Sequence, residues 1–257
     1  MISVAIIAYN EEERLPECLA SLSFADEIIV VDSNSSDRTV EIASRFGAQV
    51  FSNEWSGFGR QKQIAINRCS NTWVLVLDAD ERIPSETARE IEDVLKKKNS
   101  PCKAYSLPRK NFFLGRWIKH AGWWPDRVVR LVDKDHCAMN NNLVHESIEV
   151  QGETGELAHP IVHYATRNLA HTMEKMNRYS SAGAEEAFAQ GEGKSSYGKA
   201  FSRGAWAFFY NYVIRLGFLD MGPGLVIAVS DAVNKFFKYA KLVEMQKPPV
   251  KADTDEL

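Results

Sequence analysis

Asp78 and Asp80 stand one residue apart at the end of the apolar run Trp73-Val74-Leu75-Val76-Leu77. Two carboxylates that close repel each other and raise each other's pKa unless a cation neutralises them. A hard divalent ion such as Mg²⁺ or Mn²⁺, which takes a few carboxylates together with phosphate oxygens, suits such a pair. The plainer alternative is a strand followed by acidic residues ahead of a helix, because Pro84 and Ser85 open one soon after. Arg60 and Lys62 follow the turn Gly57-Phe58-Gly59 and either meet a phosphate or begin a solvated helix. That turn is no dinucleotide fingerprint, since a third glycine and a preceding apolar strand are missing.

The elements that must position these groups repeat one plan. Ile2 to Ala8 is an apolar run ending in Tyr9-Asn10-Glu11-Glu12, and Ile28 to Val31 is another ending in Asp32. Val74 to Leu77 reads as a strand buried on both faces, the kind found in parallel sheets. Leu15, Leu19 and Leu22 share one helical face, with Pro16 tolerable in the first turn. Asp37 can cap a helix in which Val40, Ile42, Ala43 and Phe46 face inward, stopped by Gly47. Ala48 to Ser52 then reads as a short strand and Arg60 to Cys69 as a helix. Alternating strands and helices predict an α/β layer on a mostly parallel sheet, with ligands taken past the carboxyl ends of its strands. Glu11, Asp32, Asp78 and Asp80 would collect on that rim.

At 257 residues and 45% hydrophobic content, the chain can bury a full core. A net charge of -3 gives no reason to expect nucleic acid as a partner. Cys18, Cys69, Cys102 and Cys137 are scattered, without metal-binding spacing, and read as core residues of a reducing compartment. The N-terminus enters a strand directly with no signal-peptide pattern, so a cytoplasmic location is expected. The ending Asp255-Glu256-Leu257 lacks the Lys or His of an ER-retention signal.

Ala8-Tyr9-Asn10-Glu11-Glu12, Val30-Val31-Asp32-Ser33-Asn34-Ser35-Ser36-Asp37 and Leu77-Asp78-Ala79-Asp80-Glu81 together resemble the successive signatures of family 2 glycosyltransferases. That resemblance implies the Rossmann-like GT-A fold and a nucleotide-sugar donor. Further on, Asn111-Phe112-Phe113-Leu114-Gly115, Gly122-Trp123-Trp124-Pro125-Asp126, Arg130-Leu131 and Val144-His145-Glu146 are similar to the bacterial branch that builds lipopolysaccharide core. Glucosyl transfer onto an inner-core heptose, as by the heptose β-1,4-glucosyltransferases, is an activity of that branch. One departure is visible: Asp32-Ser33-Asn34-Ser35 stands where the family has Asp-Asp-Gly-Ser.

The resemblance implies roles. Asp80, with Asp78, would hold a divalent metal that stabilises the departing diphosphate. Asp32 would read the nucleobase, and Ala8, Tyr9, Asn10 and Glu11 would pack around base and ribose. Inverting transfer needs a carboxylate base, for which Glu146 is preferred and Asp126 is the alternative. The family's usual order (metal aspartates, glycine loop, base, metal histidine) would fall on Asp78/Asp80, Gly122, Glu146 and His163. His163 ends a short apolar run, where a structural role competes with metal binding, and His145 either orients the acceptor or caps a strand. Trp123 and Trp124, with Trp117, suit an acceptor platform because aromatic faces stack on sugar rings, or else they pack the core.

The C-terminal region changes character. Met173 to Ala189 reads as a helix, and Ala205 to Leu219 is apolar and aromatic. Gly222-Pro223-Gly224 is expected to break the chain before a second apolar helix. Neither run reaches the roughly 20 apolar residues of a membrane span. Seven Lys/Arg against three Asp/Glu between Lys199 and Lys247 leave +4 there. Such a pair suits an anionic inner-leaflet surface presenting a lipid-linked saccharide, with packing on the catalytic domain or another subunit as the alternative. The expected organisation is a GT-A catalytic domain over 1–165 (donor half 1–100, acceptor half 101–165), a helical region over 166–247 and a disordered tail over 248–257.

Two other classes compete with the hexose transfer from UDP-glucose that the resemblance implies. A haloacid-dehalogenase-type phosphatase also uses Asp-x-Asp after a strand, but needs Thr or Val where Arg82 stands. A non-catalytic nucleotide- or glycan-binding module of the same fold would bind nucleotide without turnover.

Overall fold

Seven residues, apolar but for Ser3, make Ile2–Ala8 (β1) a strand buried along its whole length. The computed structural model describes residues 1–97, 100–140, 147–191 and 193–247. After β1 come Leu15–Ala20 (α1), Glu27–Asp32 (β2), Thr39–Arg45 (α2), Gln49–Ser52 (β3), Phe58–Arg68 (α3) and Trp73–Asp78 (β4). Glu81–Arg82 (β5) and Ser85–Leu95 (α4) lead to the long Cys102–Phe113 (β6), then Arg116–Trp117 (β7) and Asp126–Asp133 (β8). Cys137–Met139 (β9), Ile148–Val150 (β10), Glu153–Glu156 (β11) and Ile161–Tyr164 (β12) follow. The main sheet runs β3-β2-β1-β4-β8-β6-β12-β5, with β7 and β11 also paired to β6, while β9 and β10 pair separately. It is parallel from β3 through β4 and mixed beyond, because β8 runs antiparallel to both its neighbours.

The two-residue period of the strands splits the core into two layers. Val4, Ile6, Leu75 and Leu77 pack with Leu15, Leu19, Ala43 and Ile91 of the helices, and with Leu22 of the turn after α1, on one side. Ala5, Ile7, Val74 and Val76 pack with Ala65 and Ile66 of α3 on the other. Burying each such Leu or Ile contributes about 1.5–3 kcal/mol. The inward face expected for α2 is narrower than its sequence suggests: Ala43 is buried, but Val40 and Phe46 are 37% and 45% exposed. A seven-residue helix makes only two turns, so Thr39, Ala43 and the partly buried Ile42 make up its inward face.

The chain divides into two compact units, Met1–Trp117 with Trp123–Ala165, and Ile118–Gly122 with the chain from Thr166. The second unit is helical: Leu169–Ala189 (α5), Tyr197–Phe209 (α6) and Met221–Met245 (α7). Asn168 caps α5 by accepting the His171 N–H at 2.8 Å, and Ser196 caps α6 by accepting that of Lys199 at 3.1 Å. The expected break at Gly222-Pro223-Gly224 is not there, because all three lie in the first turn of α7 where a proline costs no hydrogen bond. The chain turns earlier, at Leu216 and Met221, both at φ 56°. Gly224 is required by contact, since a Cβ there would stand 1.9 Å from the Gly217 carbonyl oxygen. Asp220 is buried and accepts the backbone N–H groups of Lys119 and His120, at 3.2 and 2.8 Å. Among the described residues no single helix is long and apolar enough to cross a membrane, but Tyr197–Ile214 and Gly217–Met245 pass that test together, bent by 71°.

Candidate active site

Strand register gathers the site. Ile7 pairs with Asp78 and Ala8 with Asp32, so β1, β2 and β4 end at one edge of the sheet. After Asp78 the chain turns at once, and β5 runs back against β12 with His163 opposite Glu81. The Tyr164 N–H donates to the Asp80 carbonyl at 3.0 Å and closes this turn. On its other side β12 sets His163 beside Asn111 of β6. Arg109, two residues before Asn111 and so on the same face, lies opposite Asp126 of β8.

Asp78 is held from both sides. Lys62 Nζ lies 2.8 Å from its Oδ1 and Arg130 Nη2 lies 2.6 Å from its Oδ2. Arg130 Nη2 also donates to Glu81 Oε1 at 2.7 Å, and Glu81 Oε2 accepts the Asp78 backbone N–H at 3.0 Å. Burial alone would push the Asp78 carboxyl up, but Lys62 and Arg130 overcome that and hold it well below the usual carboxylate range. These cations answer the repulsion expected between the two aspartates. They also correct two expectations: Asp78 is engaged by side chains on both oxygens rather than turned to a metal, and Lys62, 4% exposed, is turned to Asp78 rather than to a phosphate. Arg60 lies exposed on α3.

Asp80 is placed differently. Its Oδ2 lies 3.2 Å from Arg14 Nη1 and 3.6 Å from His163 Nε2. Its Oδ1 is buried with no hydrogen-bond partner among the described residues. Burial pushes this carboxyl up, and the protonated form of His163 together with Arg14 brings it below the ordinary value despite the nearby Asp78 charge. An orphaned, ionised, buried oxygen costs free energy unless something binds it. Among the described residues no three His, Cys, Asp or Glu side chains converge as a ready-made metal cluster. Asp80 and His163 therefore fit a divalent cation as a two-residue site, with further positions left to the oxygens of a ligand and to water. Asp78 does not fit that role.

The first two strand endings form one hydrogen-bonded rim. Asp32, 1% exposed, accepts from the Ser35 N–H at 2.8 Å and from the Ser35 hydroxyl, so its carboxylate is folded into its own loop. Ala8 is buried, and Tyr9 beside it is 58% exposed. Asn10, at φ 53°, accepts the Ser36 N–H at 2.8 Å, and the Glu11 N–H donates to Thr39 Oγ1 at 2.8 Å. Asp126 is engaged: its Oδ2 accepts from Arg109 Nε at 2.9 Å, Arg109 Nη2 at 2.7 Å and Asn111 Nδ2 at 3.0 Å. Glu146 and His145 lie outside the described residues. Trp117, Trp123 and Trp124 are each partly buried; Trp123 packs edge-on to Phe113 at 5.8 Å, and Trp117 to Trp124 at 5.4 Å.

Arg14 and Arg109 are site residues outside every motif, and Glu81 and Asn111 stand inside motifs that gave them no role. Arg130 carried a signal, a lone cation inside the apolar run Val128-Val129-Arg130-Leu131-Val132, which needs a buried anion as partner. Glu81 is that partner.

The glycosyl transferase family 2 model matches residues 3–148, which span all three rim loops. An uncharacterised glycosyltransferase of Rickettsia typhi is 31% identical over 255 residues, covering 95% of this chain and 87% of the relative. The lipopolysaccharide core biosynthesis glycosyltransferase LpsC of Rhizobium meliloti is 26% identical over 268 residues, covering 99% and 96%. Among solved structures, S. aureus TarS 1–349 in complex with UDP-GlcNAc is similar at a TM-score of 0.47 and 16% identity, covering 95% of this chain and 90% of that one. With the family model over more than half its length, this chain belongs to glycosyl transferase family 2 and is a glycosyltransferase of GT-A fold.

Proposed function

We propose that this enzyme is an inverting, metal-dependent hexosyltransferase that moves glucose from UDP-glucose onto a saccharide of the lipopolysaccharide inner core at a membrane surface. The observation that carries the reading is the orphaned Asp80 Oδ1 beside His163 at the strand-end rim. When bound there, Mg²⁺ or Mn²⁺ would neutralise charge building on the departing nucleoside diphosphate. Asp80 and His163 would hold the cation; Arg14 steadies Asp80; Lys62 and Arg130 keep Asp78 fixed so that the loop carrying Asp80 stays rigid. Tyr9, Asn10 and Glu11 border the donor. Glu146 takes the proton from the acceptor hydroxyl, and Asp126, committed to Arg109 and Asn111, organises the sheet face. Trp123 and Trp124 border the acceptor. Family membership sets the phosphatase reading aside. The likeness to LpsC over almost the full chain supports a core saccharide as acceptor.

The test is transfer of labelled glucose from UDP-glucose to a lipid-anchored, heptose-terminated core acceptor, with UDP-galactose and UDP-GlcNAc as competing donors. Glucose incorporation is expected, and Glu146→Gln should lose about 10²–10⁴ in rate while still binding donor. Near wild-type transfer by Glu146→Gln would move the base to Asp126. Exclusive use of another donor would overturn the glucose assignment.

The second unit supports the lipid-linked acceptor. Phe201, Met221, Trp206 and Ile214 are 70%, 65%, 57% and 55% exposed, on helices that also carry the basic excess. Exposed aromatics with Lys and Arg suit an anionic lipid interface. Flotation with phosphatidylglycerol vesicles should carry the protein up, and the double substitution Phe201→Ser, Trp206→Ser should reduce the floated fraction several-fold. Equal flotation of both proteins would contradict a lipid role for this face.

A further inference from the structure

Asn111 is 4% exposed, and its amide has three partners. Nδ2 lies 3.2 Å from the Trp123 carbonyl oxygen and 3.0 Å from Asp126 Oδ2, while Oδ1 lies 2.6 Å from His163 Nδ1. Which end of a buried amide is nitrogen is decided by its partners. The Trp123 carbonyl oxygen only accepts, and Asp126 Oδ2 already accepts from Arg109, so the NH₂ must face them; the reverse orientation would set the one amide oxygen against two acceptors. Oδ1 therefore faces the histidine, and because an amide oxygen only accepts, His163 Nδ1 must carry the proton. In a neutral imidazole the other nitrogen is then bare. That nitrogen, Nε2, points at Asp80 Oδ2 from 3.6 Å, too far for a hydrogen bond.

We propose that Asn111 is a positioning residue that locks His163 as its Nδ1–H tautomer, so that a bare Nε2 and the Asp80 carboxylate face one another as a preformed cation-binding pair. Arg109 belongs to the same device. Its guanidinium holds Asp126 Oδ2, the oxygen that fixes the Asn111 amide, so the order runs Arg109, Asp126, Asn111, His163. The sheet builds this order: Arg109 and Asn111 share a face of β6, Asp126 lies opposite Arg109 and His163 beside Asn111. Partners of this kind behind a metal-binding histidine set its orientation and are worth roughly 10–100-fold in metal affinity. The proposal rests on the cation reading above for its purpose, but not for its test.

Histidine ring ¹⁵N–¹H correlation spectra of the full-length, metal-free protein at about pH 8, above the usual histidine range, report which nitrogen carries the proton. His163→Gln identifies the signal. The expected result is a protonated Nδ1 and a bare Nε2 in the wild type, with the proton moved to Nε2, or shared between the two, in Asn111→Leu. A second readout is Mn²⁺ affinity by electron paramagnetic resonance in the presence of UDP, expected to fall about 10–100-fold in Asn111→Leu. A wild-type His163 whose Nε2 carries a proton overturns the proposal even if Asn111→Leu fails to fold, and so does an unchanged ring signal in a folded Asn111→Leu. Failure of the wild type to bind Mn²⁺ at all, with the Nδ1–H tautomer observed, would instead remove the cation reading and leave the Asn111 lock standing.

Discussion

Asp80→Asn should abolish metal-supported transfer, with a loss of at least 10²–10³ in rate, while the protein stays folded. The size follows from the removal of one preorganised group that stabilises charge on the leaving diphosphate. Asparagine keeps the shape and can still accept from Arg14, so Arg14 (3.2 Å away) is not left wholly unpaired. What disappears is the negative charge that makes Asp80 Oδ1 a cation ligand. Steady-state rates across a Mn²⁺ titration, with circular dichroism as the check on folding, measure the effect. A variant that keeps a tenth or more of wild-type activity at saturating metal would contradict the role given to Asp80.

Arg130→Met should destabilise the enzyme by about 3–5 kcal/mol, the range for stranding buried charge by removing one partner. At this chain length that corresponds to a fall in Tm on the order of 10 °C. Arg130 Nη2 serves Asp78 and the fully buried Glu81 together, so one substitution takes a partner from both. Arg130→Lys should recover part of the loss, because a single ammonium can replace a single bridging nitrogen. The deficit has a defined pH dependence. Asp78 is held below its unfolded pKa, so its ion pairs stabilise the fold fully above about pH 4 and lose that effect as pH falls through the folded value. The gap between wild type and Arg130→Met should therefore be largest at neutral pH and narrow in acid. Thermal unfolding at several pH values checks this, and equal melting temperatures at pH 7 would refute it.

What the sequence made legible follows from the physics of each segment. β2 and β4 are short apolar runs that stop at aspartates and β1 is one that stops three residues before Glu11, and runs this short bounded by polar turns read as doubly buried strands. β6 is the counter-example: twelve residues that include Pro108, Arg109, Lys110 and Asn111 hide their strand period behind polar groups placed for the site. Asp80 and His163 stood out by type and position, yet their meeting depends on β5 folding back onto β12, a two-residue pairing too short to announce itself. Lys62 reads as a phosphate contact or a solvated helix start and Glu81 carries no reading of its own, and only the arrival of Asp78 at Lys62 and of Arg130 at Glu81 explains their burial. The double aspartate was legible as a pair but not as two different roles, because the cations that separate those roles lie elsewhere in the chain.

Thermal unfolding of the wild type and of Asp80→Asn, each with UDP, ADP, GDP and CDP in the presence and absence of Mn²⁺, tests the central claim most directly. The prediction is a stabilisation of the wild type specific to UDP and dependent on metal, about 2.7 kcal/mol with ligand at 100 times its Kd, and absent from Asp80→Asn. Stabilisation by UDP that ignores the metal and survives in Asp80→Asn would contradict it, as would no response to any nucleotide.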